Sequence, residues 1–316
     1  MRRLRHCRRC QETGAPPCAE LDARDSVAVG LRKHHAFCEH SSVGEKMDAL
    51  KFCVDAEKCI GCDACVRDCP SEIIRRQATT PEAAAPTEGA CLECQHCLAV
   101  CPSGAISAFG LEPKNSLPLR DGCLPTYRQM KTLVRGRRSV RQFLAEDVPP
   151  PLVNELLTDL AHAPTGCNAR DLVFSVVPGR ASMSMLLERL VQAIEARQKS
   201  GAAIDDIADA AAAYRNAGRD FFFRGAPHLL VVSPGGKAMC GHEDAVIALA
   251  YFELLAQSAG LGTTWCGMLK FVADAVPQAR ELLGLAPDAY FYAMMFGKPA
   301  VSYARTAPRI RWIRGA

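Results

Sequence analysis

Residues 59–70 and 91–102 carry one spelling twice: Cys59-x-x-Cys62-x-x-Cys65-x-x-x-Cys69-Pro70, then Cys91-x-x-Cys94-x-x-Cys97-x-x-x-Cys101-Pro102. Three thiolates set two residues apart occupy one tight loop, which can grip three irons of a 4Fe-4S cube. The fourth iron is out of that loop's reach and must be ligated from elsewhere. Pro70 and Pro102 redirect the chain after the last cysteine of each run. The pattern predicts a chain that moves electrons.

Zinc is the competing reading, because C-x-x-C pairs also make tetrahedral sites. A zinc site gives no reason for a third cysteine at the same interval, nor for the Cys-Pro that follows. Disulfides are disfavoured because an oxidised cysteine cannot ligate iron, and no secretory apolar segment is present. The two runs resemble those of bacterial-type two-cluster ferredoxins, in which the fourth cysteine of each run ligates the other cluster. That resemblance implies one 4Fe-4S cluster on Cys59, Cys62, Cys65 and Cys101, and a second on Cys91, Cys94, Cys97 and Cys69.

The remaining composition sets bounds. With 316 residues, 49% of them hydrophobic, the chain can build one large domain and one small one. There is no apolar run of about 18 residues, so no membrane span is expected. Nine of the 17 cysteines lie outside the two runs, which suits a reducing compartment and predicts a cytoplasmic protein. The net charge of +4 is concentrated: residues 1–46 hold nine Lys/Arg against six Asp/Glu, leaving the rest nearly neutral. No nucleic-acid or membrane surface is therefore expected.

Residues 1–46 show no helical or strand periodicity and are expected to be disordered or a non-native extension, with Met47 as the expected start. Their Cys7, Cys10, Cys18 and Cys38 follow no ligand spacing. Residues 47–112 form the 2x 4Fe-4S domain, with repeats at about 50–79 and 82–111 joined by a polar, proline-bearing linker. Residues 113–130 contain Pro113, Pro118, Gly122 and Pro125 and read as an interdomain connection.

From 131 to 316 helical and strand patterns alternate. Residues 152–162 follow three prolines and read as a helix. Residues 172–177 and 228–232 read as buried strands, and 183–198 and 204–216 as amphipathic surface helices. Residues 243–259 are apolar almost all round, which predicts a helix buried in a core or in a dimer interface. Residues 290–296 form another apolar run, closed by Gly297.

Short words carry the second chemistry. Arg137, Arg138, Ser139 and Arg141 fall within five positions, a set whose guanidinium groups and hydroxyl suit a phosphate monoester. Residues 137–143 (R-R-S-V-R-Q-F) resemble the opening R-R-S-x-R-x-F word of the nitroreductase family. Residues 163–170 (A-P-T-G-C-N-A-R) are similar to its A-P-S-x-x-N-x-Q-P loop. Residues 260–267 (G-L-G-T-T-W-C-G) are similar to its G-L-G segment, and Gly297-Lys298-Pro299 to its late G-Y-P.

The resemblance covers 131–316 and implies an α+β fold, a ferredoxin-like two-cluster domain followed by a nitroreductase-like FMN domain. It further implies FMN held at a homodimer interface. Arg137, Arg138, Ser139 and Arg141 would meet its phosphate and ribityl chain, as would the late basic residues Lys298, Arg305 and Arg309. Asn168 would bond the flavin, and the backbone of Gly267 would face its reactive N5 side. Arg170 stands where the family has Gln, so it is expected to stabilise charge on reduced flavin. Residues 181–225 form a helical excursion expected to cover the active site.

Other candidates have a blander reading. Cys167 and Cys266 have no base arranged by sequence to activate them and read as packing residues. His162 and His228 read as satisfied structural histidines. His96, between cluster ligands, either tunes a potential by hydrogen bonding or faces solvent.

The chain thus reads as an FMN-dependent oxidoreductase that takes electrons from reduced ferredoxin or NAD(P)H through two 4Fe-4S clusters and reduces a small nitroaromatic, quinone or enone. Two alternatives stand beside it. One is an iron-sulfur electron-transfer module with a dimerising flavodomain. The other is a flavin dehydrogenase or flavin-remodelling enzyme passing electrons outward.

Overall fold

Alternation with period two places the core of the larger unit. Leu229, Leu230, Val231 and Val232 are all buried, yet successive side chains of a strand point to opposite faces. Leu229 and Val231 enter one apolar cluster, and Leu230 and Val232 enter another. Ala293 and Met295 alternate with Met294 and Phe296 in the same way. The sheet is therefore buried on both sides, and each such leucine contributes about 2 kcal/mol on leaving water.

The computed structural model describes residues 52–77, 80–83, 91–119 and 122–307. It divides into two compact units, Met1–Thr126 and Tyr127–Ala316. Residues 1–46, Met47 and Arg309 lie outside the described residues.

In the first unit, β1 (Cys53–Val54) pairs antiparallel with β4 (Ile106–Ser107), and β2 (Ile74–Gln77) pairs with β3 (Thr80–Ala83) as a hairpin. Two single-turn helices, α1 (Ala64–Arg67) and α2 (His96–Ala99), pack with them around Cys65, Ile74, Leu98 and Ile106. The expected linker between the repeats is strand over its first half. A two-stranded ribbon tolerates Pro81, because an edge strand need not donate a ladder hydrogen bond there.

In the second unit, α3 (Tyr127–Gly136) and α4 (Pro150–Leu160) precede β5 (Leu172–Val177). Helices α5 (Gly179–Lys199) and α6 (Asp205–Ala217) lead to β6 (His228–Pro234) and α7 (Gly241–Ser258). β7 (Gly262–Trp265), α8 (Gly267–Ala275), α9 (Gln278–Leu282) and β8 (Tyr292–Gly297) complete the order. The sheet runs β5-β6-β8-β7, antiparallel throughout. α5, α6, α8 and α9 cover one face; α4 and α7 cover the other.

One expectation changes. β5 is an edge strand, so its side chains are only half-buried. The excursion at 181–225 turns one face inward, where Leu190, Val191, Ile194, Phe222 and Phe223 fill one of the two cores, and leaves the other face exposed. α7 buries Ala245, Ala248, Leu249, Phe252 and Ala256, but leaves Val246, Ile247 and Tyr251 exposed at 38%, 37% and 47%. Its apolar periphery is divided between a core and an open face. Among the described residues no helix is long and apolar enough to cross a membrane.

Candidate functional site

The two cysteine runs fold into one loop used twice. Gly61 (φ 66°) and Asp63 (φ 56°) are left-handed, and so are Glu93 (φ 50°) and Gln95 (φ 59°) at the corresponding places. A left-handed backbone costs a non-glycine residue about 1–2 kcal/mol, so a turn repeated with that strain is held by what surrounds it. Each turn delivers its third cysteine onto a short helix, Cys65 in α1 and Cys97 in α2.

The sulfurs gather around two cavities. Cys59, Cys62, Cys65 and Cys101 line one, together with Val54, Pro81 and Ile106. Cys69, Cys91, Cys94 and Cys97 line another, with Phe52, Ile74 and Phe109. Each cavity thus takes three cysteines from one run and the last from the other. Among the described residues no three His, Cys, Asp or Glu groups converge closely enough for a single ion; the cysteines stand four at a time around each cavity.

The donor set suits a cationic, sulfur-bridged cluster. Burial, with help from the neighbouring Cys94, Cys91 and Cys69, pushes the Cys97 thiol up to about 11. Burial likewise raises Cys65 and Cys91, with neighbouring cysteines again adding to the effect. Crowded thiols resist ionising without a positive partner, and iron supplies one. Burial also opposes ionisation of Cys101, but the Ala105 N–H, donating to Sγ at 3.2 Å, and the groups of Ser103 and Gly104 outweigh it and lower the thiol.

In the second unit, residues 137–143 form a strap across the end of the sheet. The Val140 N–H donates to Thr263 O at 2.9 Å, and Thr264 Oγ1 donates back to Val140 O. Further along, the Leu144 N–H donates to Lys298 O and the Ala300 N–H to Gln142 O, each at 2.9 Å. Two glycines permit this approach. A Cβ at Gly262 would stand 2.7 Å from Val140 Cγ2, and one at Gly297 would stand 2.5 Å from Pro227 and 3.2 Å from Phe143 Cδ1. Three of the four sequence words therefore meet at one edge.

The fourth word, 163–170, is anchored to the start of α7. The Gly166 N–H donates to Asp244 Oδ1 at 2.9 Å, and a Cβ on Gly166 would meet Cys240 at 3.0 Å. Asp244 is buried, and its Oδ2 has no hydrogen-bond partner among the described residues. Cys167 (φ 51°), Asn168 (φ 54°) and Arg170 (φ 48°) are all left-handed. Three such residues in one loop store strain of a kind that concentrates at functional sites. The Arg170 N–H donates to Thr165 Oγ1 at 2.9 Å, and its Nε donates to Asn168 Oδ1 at 3.2 Å.

The proposed phosphate set is unequally placed. Arg137 Nη1 pairs with Glu253 Oε1 at 3.1 Å, the two side chains being 35% and 9% exposed. Arg138 Nη1 donates to the Arg137 and Arg135 carbonyls at 2.6 and 3.1 Å. Ser139 bridges to Thr263 through the backbone, and exposed Arg141 donates to the Ser139 carbonyl at 3.3 Å. Lys298 pairs with Glu146 at 3.1 Å. Gly267 opens α8, where a Cβ would meet the Tyr292 hydroxyl at 3.3 Å. Arg305 is exposed, outside helix and sheet.

Sequence reasoning missed Asp244 and Glu253, which sit nine residues apart on α7 and hold the strained loop and the strap about 14 Å from one another along the helix axis. Acidic residues in a helix otherwise apolar were the available signal. Among the other candidates, His162 is exposed, and His228 is buried and stacked on Phe296 at 4.9 Å. Burial pushes the Cys266 thiol up to about 12, leaving it inert. His96 is exposed and joined to Asp68 at 3.1 Å.

Residues 134–298, more than half of the chain, match the family model described as Nitroreductase family. Residues 58–106 match the model described as 4Fe-4S dicluster domain. No curated protein matches the chain. Similar solved structures include a nitroreductase with bound FMN from Bacteroides fragilis, 20% identical, covering 60% of this chain and 98% of that one with a TM-score of 0.49. They also include an FMN-dependent nitroreductase from Clostridium difficile, 19% identical, covering 60% and 100% with a TM-score of 0.43. The FMN-dependent nitroreductase NfnB from Mycobacterium smegmatis, solved with NADPH, is 21% identical, covering 54% and 87% with a TM-score of 0.40.

Proposed function

The chain belongs to the nitroreductase family, with a 4Fe-4S ferredoxin-type segment ahead of the family domain, and on that footing we propose an FMN-dependent oxidoreductase that receives electrons through two 4Fe-4S clusters and reduces a small nitroaromatic, quinone or enone. Iron-sulfur clusters pass electrons singly, whereas FMN stores two and releases them as a hydride, so the pair links one-electron donors to two-electron chemistry. The observation that carries the reading is the gathering of eight cysteines, four by four, around two cavities. Reduced ferredoxin or NAD(P)H is the proposed donor.

The chain's own residues divide the binding work. Exposed Arg141 and half-buried Ser139, on the strap, offer a guanidinium and a hydroxyl to the phosphate. Glu253 orients Arg137 beside them. Asn168 and Arg170 present polar groups from the strained loop, and Gly267 brings its backbone to the start of α8 beside the Tyr292 hydroxyl. The exposed Val246, Ile247 and Tyr251 face of α7 supports a homodimer, since an apolar helix face of this kind gains by being covered.

One observation favours the rival in which the second unit serves only for dimerisation: Arg137 is already matched by a carboxylate. Anaerobic purification followed by flavin analysis separates the two. Bound FMN, or uptake of added FMN, is expected, and replacing Ser139 and Arg141 should weaken FMN far more than riboflavin. A chain that neither carries nor takes up flavin would falsify the enzyme reading. With flavin in place, a screen of nitroaromatics, quinones and enones against reduced ferredoxin and NADPH identifies substrate and donor.

A further inference from the structure

The strand registers bring two of the sequence words and a group of aromatic side chains to one end of the larger sheet. β5 begins at Leu172 opposite Pro234, the last residue of β6. Val232 lies opposite Tyr292, the first residue of β8, and Met294 lies opposite Trp265, the last residue of β7. The loop 163–170 enters this end ahead of β5, and Gly267 leaves it after β7. Trp265, Tyr290 and Tyr292 pack on the sheet face that α4 and α7 cover.

The two tyrosines are held differently. Tyr290 stacks on His242 of α7, with ring centroids 3.7 Å apart and planes 19° apart. Burial raises its phenol, with Tyr292 and Glu243 adding to the effect. Tyr292 instead meets Trp265 edge to face at 5.6 Å, and its hydroxyl reaches the start of α8, where a Cβ on Gly267 would stand 3.3 Å from it. A residue larger than glycine would crowd that oxygen. Tyr292 is half-buried, and among the described residues its hydroxyl has no hydrogen-bond partner. A tyrosine hydroxyl withdrawn from water ordinarily finds one. Neighbouring Cys266 offers no alternative donor, since its thiol is buried and donates to the Phe222 carbonyl at 3.6 Å.

Reducing a carbonyl-bearing substrate takes a proton as well as two electrons. Resting on the FMN reading above, in which Gly267 faces the reactive edge of the ring, we propose that the Tyr292 hydroxyl donates this proton to the oxygen of the substrate. For an enone, a hydride from the reduced cofactor forms the new C–H bond at the β carbon, and the pair of the carbon–carbon double bond shifts toward the carbonyl. The carbonyl oxygen takes the proton as the Tyr292 O–H bond breaks. The enol relaxes to the ketone, and the phenolate regains a proton from water. The substrate has then gained two electrons and two hydrogens, and the phenol is restored.

The test uses the full chain loaded with FMN. Tyr292→Phe keeps the ring against Trp265, so its FMN content should equal that of the wild type. The first readout is binding: acetophenone, a ketone without the reducible double bond, is titrated into the oxidised protein and followed by flavin absorption. Tyr292→Phe should bind it roughly fivefold more weakly, the loss of one hydrogen bond. The second is the rate at which cyclohexenone reoxidises the photoreduced protein, which should fall by about 100-fold or more, as for loss of a positioned acid. Tyr290→Phe, whose ring is held by His242, should change neither. Equal affinity or equal reoxidation in wild type and Tyr292→Phe, equal losses in the two variants, or loss of FMN from Tyr292→Phe would overturn this assignment alone. A wild-type chain that takes up no FMN would overturn the reading beneath it, and the assignment with it.

Discussion

Removing Arg137 strands a carboxylate. Glu253 lies almost wholly inside the α7 packing and has its charge met by that guanidinium. Arg137→Ala should destabilise the second unit by about 2 kcal/mol, less than the ~3–5 typical of deeply buried pairs because the arginine is itself partly solvated. Adding Glu253→Gln should recover most of the loss, since a neutral amide needs no countercharge. Urea unfolding of the two variants reads this directly; an undiminished loss in the double variant would place the cost elsewhere. His228 supplies a second test. The Val148 N–H approaches Nε2 at 2.9 Å and the Gly179 N–H approaches Nδ1 at 3.0 Å. A neutral imidazole accepts at one nitrogen and an imidazolium at neither, so protonation breaks the bond that ties these segments to the ring. Burial lowers the group from its ordinary 6.5, with Asp147 opposing. A depressed native value means that the contribution is complete above about pH 6.5 and lost as the pH falls through the native value. Relative to His228→Gln, the wild type should therefore lose stability as the pH falls below about 6.5; a difference that stays constant with pH contradicts this role.

At the level of elements, the loops of the first unit make the sharpest claim. Cys69 leaves its own run and lines the cavity of Cys91, Cys94 and Cys97. Cys69→Ala should therefore damage the cluster of the second run, and spectroscopic loss confined to the other cluster would refute the crossing. Such loops were legible because ligand spacing is local: the residues that make the turn are the residues that carry the sulfur. β6 and β8 were legible for a similar reason, since runs such as 229–232 have only one way to be buried on both faces. Helix α7 was not. An apolar residue such as Ile247 looks alike in a sequence whether a core or an open face awaits it, and only packing separates it from Leu249. The pairings of Arg137 with Glu253 and of Arg76 with Asp63 were equally hidden, because each joins elements whose approach depends on the fold. The excursion at 181–225 showed its helices plainly. Their destination, a core beneath the sheet, is a matter of tertiary packing that periodicity leaves open.

For the molecule as a whole, the open face of α7 is the surface on which the proposed dimer would form. Ile247→Asp should turn the proposed dimer into a monomer by sedimentation and release FMN with it. Helical content should be unchanged, because this side chain is partly exposed in the single chain. A dimer that survives the substitution places the interface on another surface. The strap carries one more implication, for the order in which the chain acquires its shape. Val140 and Thr264 are 124 residues apart, and the Gln142 carbonyl finds its partner only at Ala300. The segment proposed to meet the phosphate is made early and docks late, after the last strands of the sheet are in place. Amide hydrogens in this clasp should then exchange ahead of those in β6, and cofactor retention becomes a reporter of whether the far end of the chain has finished folding.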